Sequence, residues 1–127
     1  MSPRFRSFAL RLVSTNPKAQ RFSSWESGEI FPLSSRILLS GRHLREVRLL
    51  PDVRTGRPLI HLALRAGAKR RFALMTRRHK GRILAIVVGG KVVLAAPIYA
   101  QITSGILRIR LQKTQHIRRV YALITGR

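Results

Sequence analysis

From Ile83 to Val88 the chain is continuously apolar, and from Val92 to Ala96 it is apolar again, with Gly89-Gly90-Lys91 between the two runs and Pro97 after them. That pattern predicts a buried strand, a two-glycine turn and a returning strand. Leu59 to Arg65 alternates instead, with Ile60, Leu62 and Leu64 on one side and His61 and Arg65 on the other. Such alternation marks a half-buried antiparallel strand. Ile106 to Leu111 repeats it, with Leu107, Ile109 and Leu111 inward and Arg108 and Arg110 outward. Phe8, Leu10 and Leu12 alternate with Arg11 and Val13, so Phe5 to Val13 reads as a first strand. Ile37-Leu38-Leu39 and Val47 to Leu50 are shorter strand candidates, and Ser40-Gly41-Arg42-His43-Leu44 reads as a turn opening a brief helix.

Two segments switch to helical spacing. Over residues 66–79, Ala68, Phe72 and Met75 fall at i, i+4 and i+7, and Gly81 stops the run. Near the end, Thr114 is placed to cap a helix whose stripe is Ile117, Val120, Tyr121 and Ile124, with Gly126 after it. Residues 16–35 contain Pro17, Gly28, Pro32 and the single Trp. They read as a turn-rich loop with a short strand near Ile30. The sum is one domain spanning residues 1–127 of α+β class, a mainly antiparallel sheet with two amphipathic helices packed on one face.

Composition adds one strong signal. Apolar residues make up 45% of 127, enough for a core, and there is no cysteine, so disulfide and thiol chemistry are excluded. Lys and Arg total 26 against four acids, a formal charge of +22. A field of that strength attracts polyanions.

Residues 1–25 hold Arg4, Arg6, Arg11, Lys18 and Arg21 among serines and no acid, a composition shared with organellar transit peptides. The alternation around Leu10 favours a strand there, and Arg11 interrupts the apolar run that a secretory signal needs. Residues 83–106 carry only Lys91 as a charge. A spanning helix would place Gly89-Gly90-Lys91 near mid-membrane, where a charge costs at least ~2.5 kcal/mol. A hairpin explains the same residues without that cost, so no transmembrane segment is expected.

Enzyme chemistry is not expected either. Glu26, Glu29, Glu46 and Asp52 are scattered, and His43, His61, His79 and His116 lack ligand spacing. Gly89-Gly90-Lys91-Val92 lacks the spaced glycines and the hydroxyl residue of a phosphate loop. The sequence therefore predicts a binding module without cofactor or metal.

The order of several motifs is similar to the periplasmic head domain of SecD, a membrane subunit of the bacterial export machinery. The similar stretches are Ser40-Gly41-Arg42-His43-Leu44, then Thr55-Gly56-Arg57-Pro58, then Gly67-Ala68 with Phe72 and Thr76. The hairpin Leu84 to Val88 and Gly90-Lys91-Val92, followed by Ala96-Pro97-Ile98, and finally Ile102 with Gly105 complete the series. The resemblance covers about Phe8 to Gly126. It implies the head fold and a non-catalytic contact with exported polypeptide. Gly89 stands where the family usually has an acid, Ala95 where it has a serine, and Lys69, Arg70 and Arg71 where its helix carries acids.

Charge and resemblance point to different partners. Charge predicts a module docked on RNA in a ribosome-like particle in the cytoplasm, with salt-dependent phosphate contacts. Its contacts would be Lys69, Arg70, Arg71, Arg77, Arg78, Lys80 and Arg82, with a second cluster of Arg108, Arg110, Lys113, Arg118 and Arg119. Attachment to an anionic membrane surface is a weaker variant of the same idea. The resemblance predicts instead an export accessory that binds polypeptide on the periplasmic side; an organellar matrix would follow only from a transit peptide.

Overall fold

The protein is described from a computed structural model over residues 5–127, so Arg4 of the transit-peptide reading lies outside the described residues. Its α+β fold is built from antiparallel sheets and two helices, as the hydrophobic pattern predicts. Strands β1 (Phe8–Leu12), β4 (Leu39–Ser40), β7 (Ile83–Val88) and β8 (Lys91–Pro97) form a four-stranded sheet in the order β4-β1-β7-β8. Strands β5 (Leu44–Pro51), β6 (Pro58–Leu64) and β9 (Ile106–Ile109) form a second sheet in the order β5-β6-β9. A separate hairpin pairs β2 (Gln20–Ser23) with β3 (Ile30–Leu33). Helix α1 runs Ala66–Arg78 and α2 runs Thr114–Thr125.

One large core joins both main sheets to both helices. Leu10, Ile86 and Val88 of the first sheet meet Ile60, Leu62 and Ile109 of the second, and Phe72, Ile117, Val120 and Ile124 enter from the helices. Burying each such side chain contributes roughly 1.5–3 kcal/mol. The first sheet is buried on its other face too. There Ala85, Val87 and Val92 pack against Leu33, with Phe22 and Phe31 alongside. This explains why β7 is apolar at consecutive positions, as a strand covered on both faces must be.

The cover is the β2–β3 hairpin, so residues 16–35 are more ordered than the turn-rich composition suggests. Gln20↔Leu33 to Ser23↔Ile30 pair in register. Trp25 then fastens the hairpin to the first sheet: its N–H donates to Val92 O at 2.9 Å and its indole Nε1 to Val88 O at 3.0 Å.

Two local expectations are corrected. Thr76, not Met75, completes the buried stripe of α1 with Ala68 and Phe72. Its hydroxyl donates to the Phe72 carbonyl at 2.9 Å, so a polar residue is tolerated there without loss. It also accepts the Ile102 N–H at 2.9 Å, tying α1 to the segment after β8. Thr114 is the first residue of α2, not its cap. The donors before that helix go to a distant carboxylate: Glu26 accepts the N–H of Gln112 at 2.7 Å and of Lys113 at 2.8 Å. The brief helix expected after Ser40 is present as one 3₁₀ turn, Gly41–His43. A Cβ on Gly41 would lie 2.0 Å from the Phe5 carbonyl oxygen, so the close approach of two backbones there requires glycine.

Candidate functional site

All twelve basic residues singled out by charge are exposed, and they are spread over several elements. Lys69, Arg70, Arg71, Arg77 and Arg78 lie on α1, and Lys80 and Arg82 follow it. Arg82 donates to the Val13 carbonyl at 3.3 Å. Of the second group, Arg108 is on β9, Lys113 precedes α2, and Arg118 and Arg119 are on α2. Arg110 is committed to a structural contact, donating from Nε to Asp52 Oδ2 at 2.9 Å.

The concave features lie elsewhere. Strand β8 is an edge of the first sheet and β9 an edge of the second. Between and beside them run two neighbouring cavities that share Leu94. The larger, about 550 Å³, lies between Val92–Ala95 of β8, the 52–58 turn and Arg110–Gln112. The smaller, about 310 Å³, is lined almost wholly by apolar groups, including Ile86, Leu94, Ile98, Tyr99 and Leu107. Leu94 is 41% exposed and Tyr99 86%. The β8 edge is closed at one end, where Ser24 bridges to Val92 and Trp25 bonds its carbonyl. Beyond Val92 no third strand covers it among the described residues. An open edge beside apolar hollows can accept an added strand, the main chain supplying hydrogen bonds and the hollows taking alternate side chains.

The electrostatics of the larger cavity set it apart from the rest of the molecule. Three of the four acids, Glu26, Glu29 and Asp52, line it, facing Arg54, Arg57 and Arg110. Their formal charges cancel, so the cleft is close to neutral inside a strongly cationic molecule. Asp52 holds the 52–57 turn together: besides Arg110 it accepts the Arg54 N–H at 2.9 Å on Oδ1. The Arg110 hydrogen bond, then that of Arg54, keeps the Asp52 carboxyl below its ordinary range. For Glu26 partial burial pushes the pKa up, but the N–H donors of Lys113 and Gln112, with His116, outweigh it and the net direction is down. His116 Nδ1 lies 3.0 Å from Glu26 Oε2, and since a carboxylate only accepts, that nitrogen carries the proton.

Sequence reasoning found the β7–β8 hairpin but not the cleft beside it. Leu94 and Tyr99 carried the available signal, large apolar groups on a strand and a loop that ought otherwise to be covered. Glu26 could not be found, because its partners stand 86 and 87 residues away. Among the described residues no three His, Asp or Glu side chains gather into a metal site, and no helix is long and apolar enough to cross a membrane.

A family model described as the SecDF P1 head subdomain matches residues 17–124. Solved SecDF structures resemble the fold. One, of a membrane component SecDF that enhances protein export, has a TM-score of 0.72 at 22% identity, covering 94% of this chain and 62% of that one. A SecDF in a super-membrane-facing form has a TM-score of 0.70 at 25% identity, over 91% of this chain and 18% of that one. A third, described as a translocon-associated membrane protein from Thermus thermophilus, has a TM-score of 0.60 at 23% identity, over 95% and 20%. The chain thus spans less than two thirds of each of these proteins. No curated protein matches it in sequence. The family match corrects the RNA partner, the ribosome-like particle and the cytoplasmic placement together, since the family is a subdomain of an export protein. Those expectations rested on net charge, which governs solubility and encounter rates but does not define a site. The larger cleft beside β8 is charge-balanced and shows no excess of cations for a polyanion.

Proposed function

The chain belongs to the SecDF P1 head subdomain family, and on that premise we propose that it is a non-enzymatic module of protein export that contacts extended polypeptide on the periplasmic side. The supporting observation is the open β8 edge beside two cavities sharing Leu94, one mixed and charge-balanced, the other apolar. An unfolded chain crossing a membrane exposes unpaired N–H and C=O groups. An edge strand pairs with these whatever the sequence, and a neutral cleft neither repels basic clients nor retains acidic ones. The hollows around Tyr99 and Leu94 would hold occasional apolar side chains without demanding a motif. Binding of this kind is weakly selective and reversible, as a translocation aid requires.

Leu94→Glu places a charge at the shared wall of both cavities, and Tyr99→Ala removes the exposed ring of the smaller one. Fluorescence anisotropy with a labelled, permanently unfolded polypeptide should show binding that each variant weakens about tenfold, equivalent to about 1.4 kcal/mol. The wild-type affinity should change little with added salt. Undiminished binding by both variants would contradict the cleft as the docking site.

A further inference from the structure

We infer that a second surface, the groove between α1 and the Arg36–Leu39 segment, docks an acidic, leucine-bearing stretch of a partner polypeptide. This goes beyond the cleft at β8 and does not depend on it. The groove encloses about 210 Å³, with Leu38, Leu39, Phe72, Leu74 and Met75 as its apolar lining and Arg36, Arg71, Arg78 and His79 as its polar one. Arg71, Leu74, Met75 and Arg78 follow one another at i, i+3, i+4 and i+7, so on a single face of α1 two apolar groups are flanked by two cations. Leu74 is 50% exposed, as is neighbouring Ile37. The salt bridges among the described residues involve Arg45, Arg48, Arg110 and His116, and none of the three groove arginines takes part.

One contact, made by the marginal Arg71 to His43 just outside the groove lining, indicates what is wanted at that end. The Ser40 N–H donates to His43 Nδ1 at 3.0 Å, which leaves the proton of the neutral ring on Nε2. Burial first, then the charges of Arg42 and Arg71, lower the His43 pKa, so the ring is neutral near pH 7. Yet Arg71 Nη1 stands 3.4 Å from that same Nε2. A guanidinium has no acceptor atom, so two donors face the same space with no acceptor between them. A carboxylate oxygen seated there would accept from both. Arg36 and Arg78 would pair further acids of the same segment, with charge-assisted bonds of the stronger kind. The apolar lining then decides the class of partner. A nucleic-acid backbone has no group to fill it, and the ring of Phe72 is fully buried and offers no stacking surface.

The test uses the full chain and a short labelled peptide with a glutamate–leucine–glutamate–glutamate repeat. Arg71→Gln with Arg78→Gln should lower its affinity about tenfold. Arg118→Gln with Arg119→Gln removes the same charge from α2 and should change it less than about twofold. A leucine-free polyglutamate of equal length should bind more weakly than the repeat. Equal losses from the two variant pairs would overturn the inference, as would equal binding of polyglutamate. So would displacement of the repeat peptide from the groove by a short oligonucleotide or by phosphatidylglycerol vesicles at lower concentration than by unlabelled peptide.

Discussion

Several single side chains in this fold perform two tasks at once. Thr76 is the clearest: its one hydroxyl closes on its own helix and receives the Ile102 N–H from outside it. Thr76→Val keeps the shape and deletes the acceptor, leaving that N–H unpaired in the interior. The expected loss is about 1–3 kcal/mol, read as a shifted denaturation midpoint with unchanged slope. An unshifted midpoint would mean that the 98–105 segment is not anchored through this bond. Residue-scale facts of this type were only partly legible. The sequence pattern put Ala68 and Phe72 inside and offered Met75 as the third member. Nothing local marks a threonine as buried, because its justification is an amide 26 residues away.

At the scale of elements, the strands and helices that carry their own pattern were readable, and those that depend on a distant neighbour were not. The β7–β8 hairpin announces itself through two apolar runs and Gly89-Gly90, both at positive φ. Helix α2 shows its stripe, but its start is organised by Glu26, from the stretch between β2 and β3. That hairpin looked like loop because Gly28 and Pro32 dominate its composition, while the apolar partners of Phe22, Phe31 and Leu33 lie on β7 and β8. Glu26→Gln should therefore loosen two elements together, α2 at its first turn and the hairpin at Trp25. The cost should be about 0.5–2 kcal/mol, the range for loss of a helix cap. The pH dependence follows from the direction of the shifts. Glu26 and Asp52 both have folded pKa values below their ordinary 4.5 and 3.8. Between the depressed and ordinary values the unfolded chain binds more protons, so stability rises with pH there. The contribution is complete above those ordinary values and is lost as pH falls through the folded ones. Acid titration of the variant should show a shallower loss than wild type below about pH 4.5; an identical acid limb would mean that Glu26 does not hold the α2 start.

Across the whole molecule, charge and cleft are separate systems. The +22 balance suggested a polyanion, yet the molecule places three of its four acids in one cavity and cancels the arginines there. Sequence alone could report the excess of cations but not that the scarce acids converge, since Asp52 comes from the β5–β6 turn and Glu26 and Glu29 from the distant β2–β3 loop. What remains cationic is the exterior, including the α1 face whose arginines flank Leu74 and Met75. The two sheets meet at free edges, and that arrangement is the feature an extended polypeptide could use.

Amide hydrogen exchange along β8, with and without a permanently unfolded polypeptide, tests the central claim most directly. The N–H groups of residues 93–96 that point away from β7 should exchange more slowly once polypeptide is bound, while those of α2 stay unchanged. If the polypeptide binds and the exchange of residues 93–96 is the same as in the free protein, strand addition at this edge is wrong.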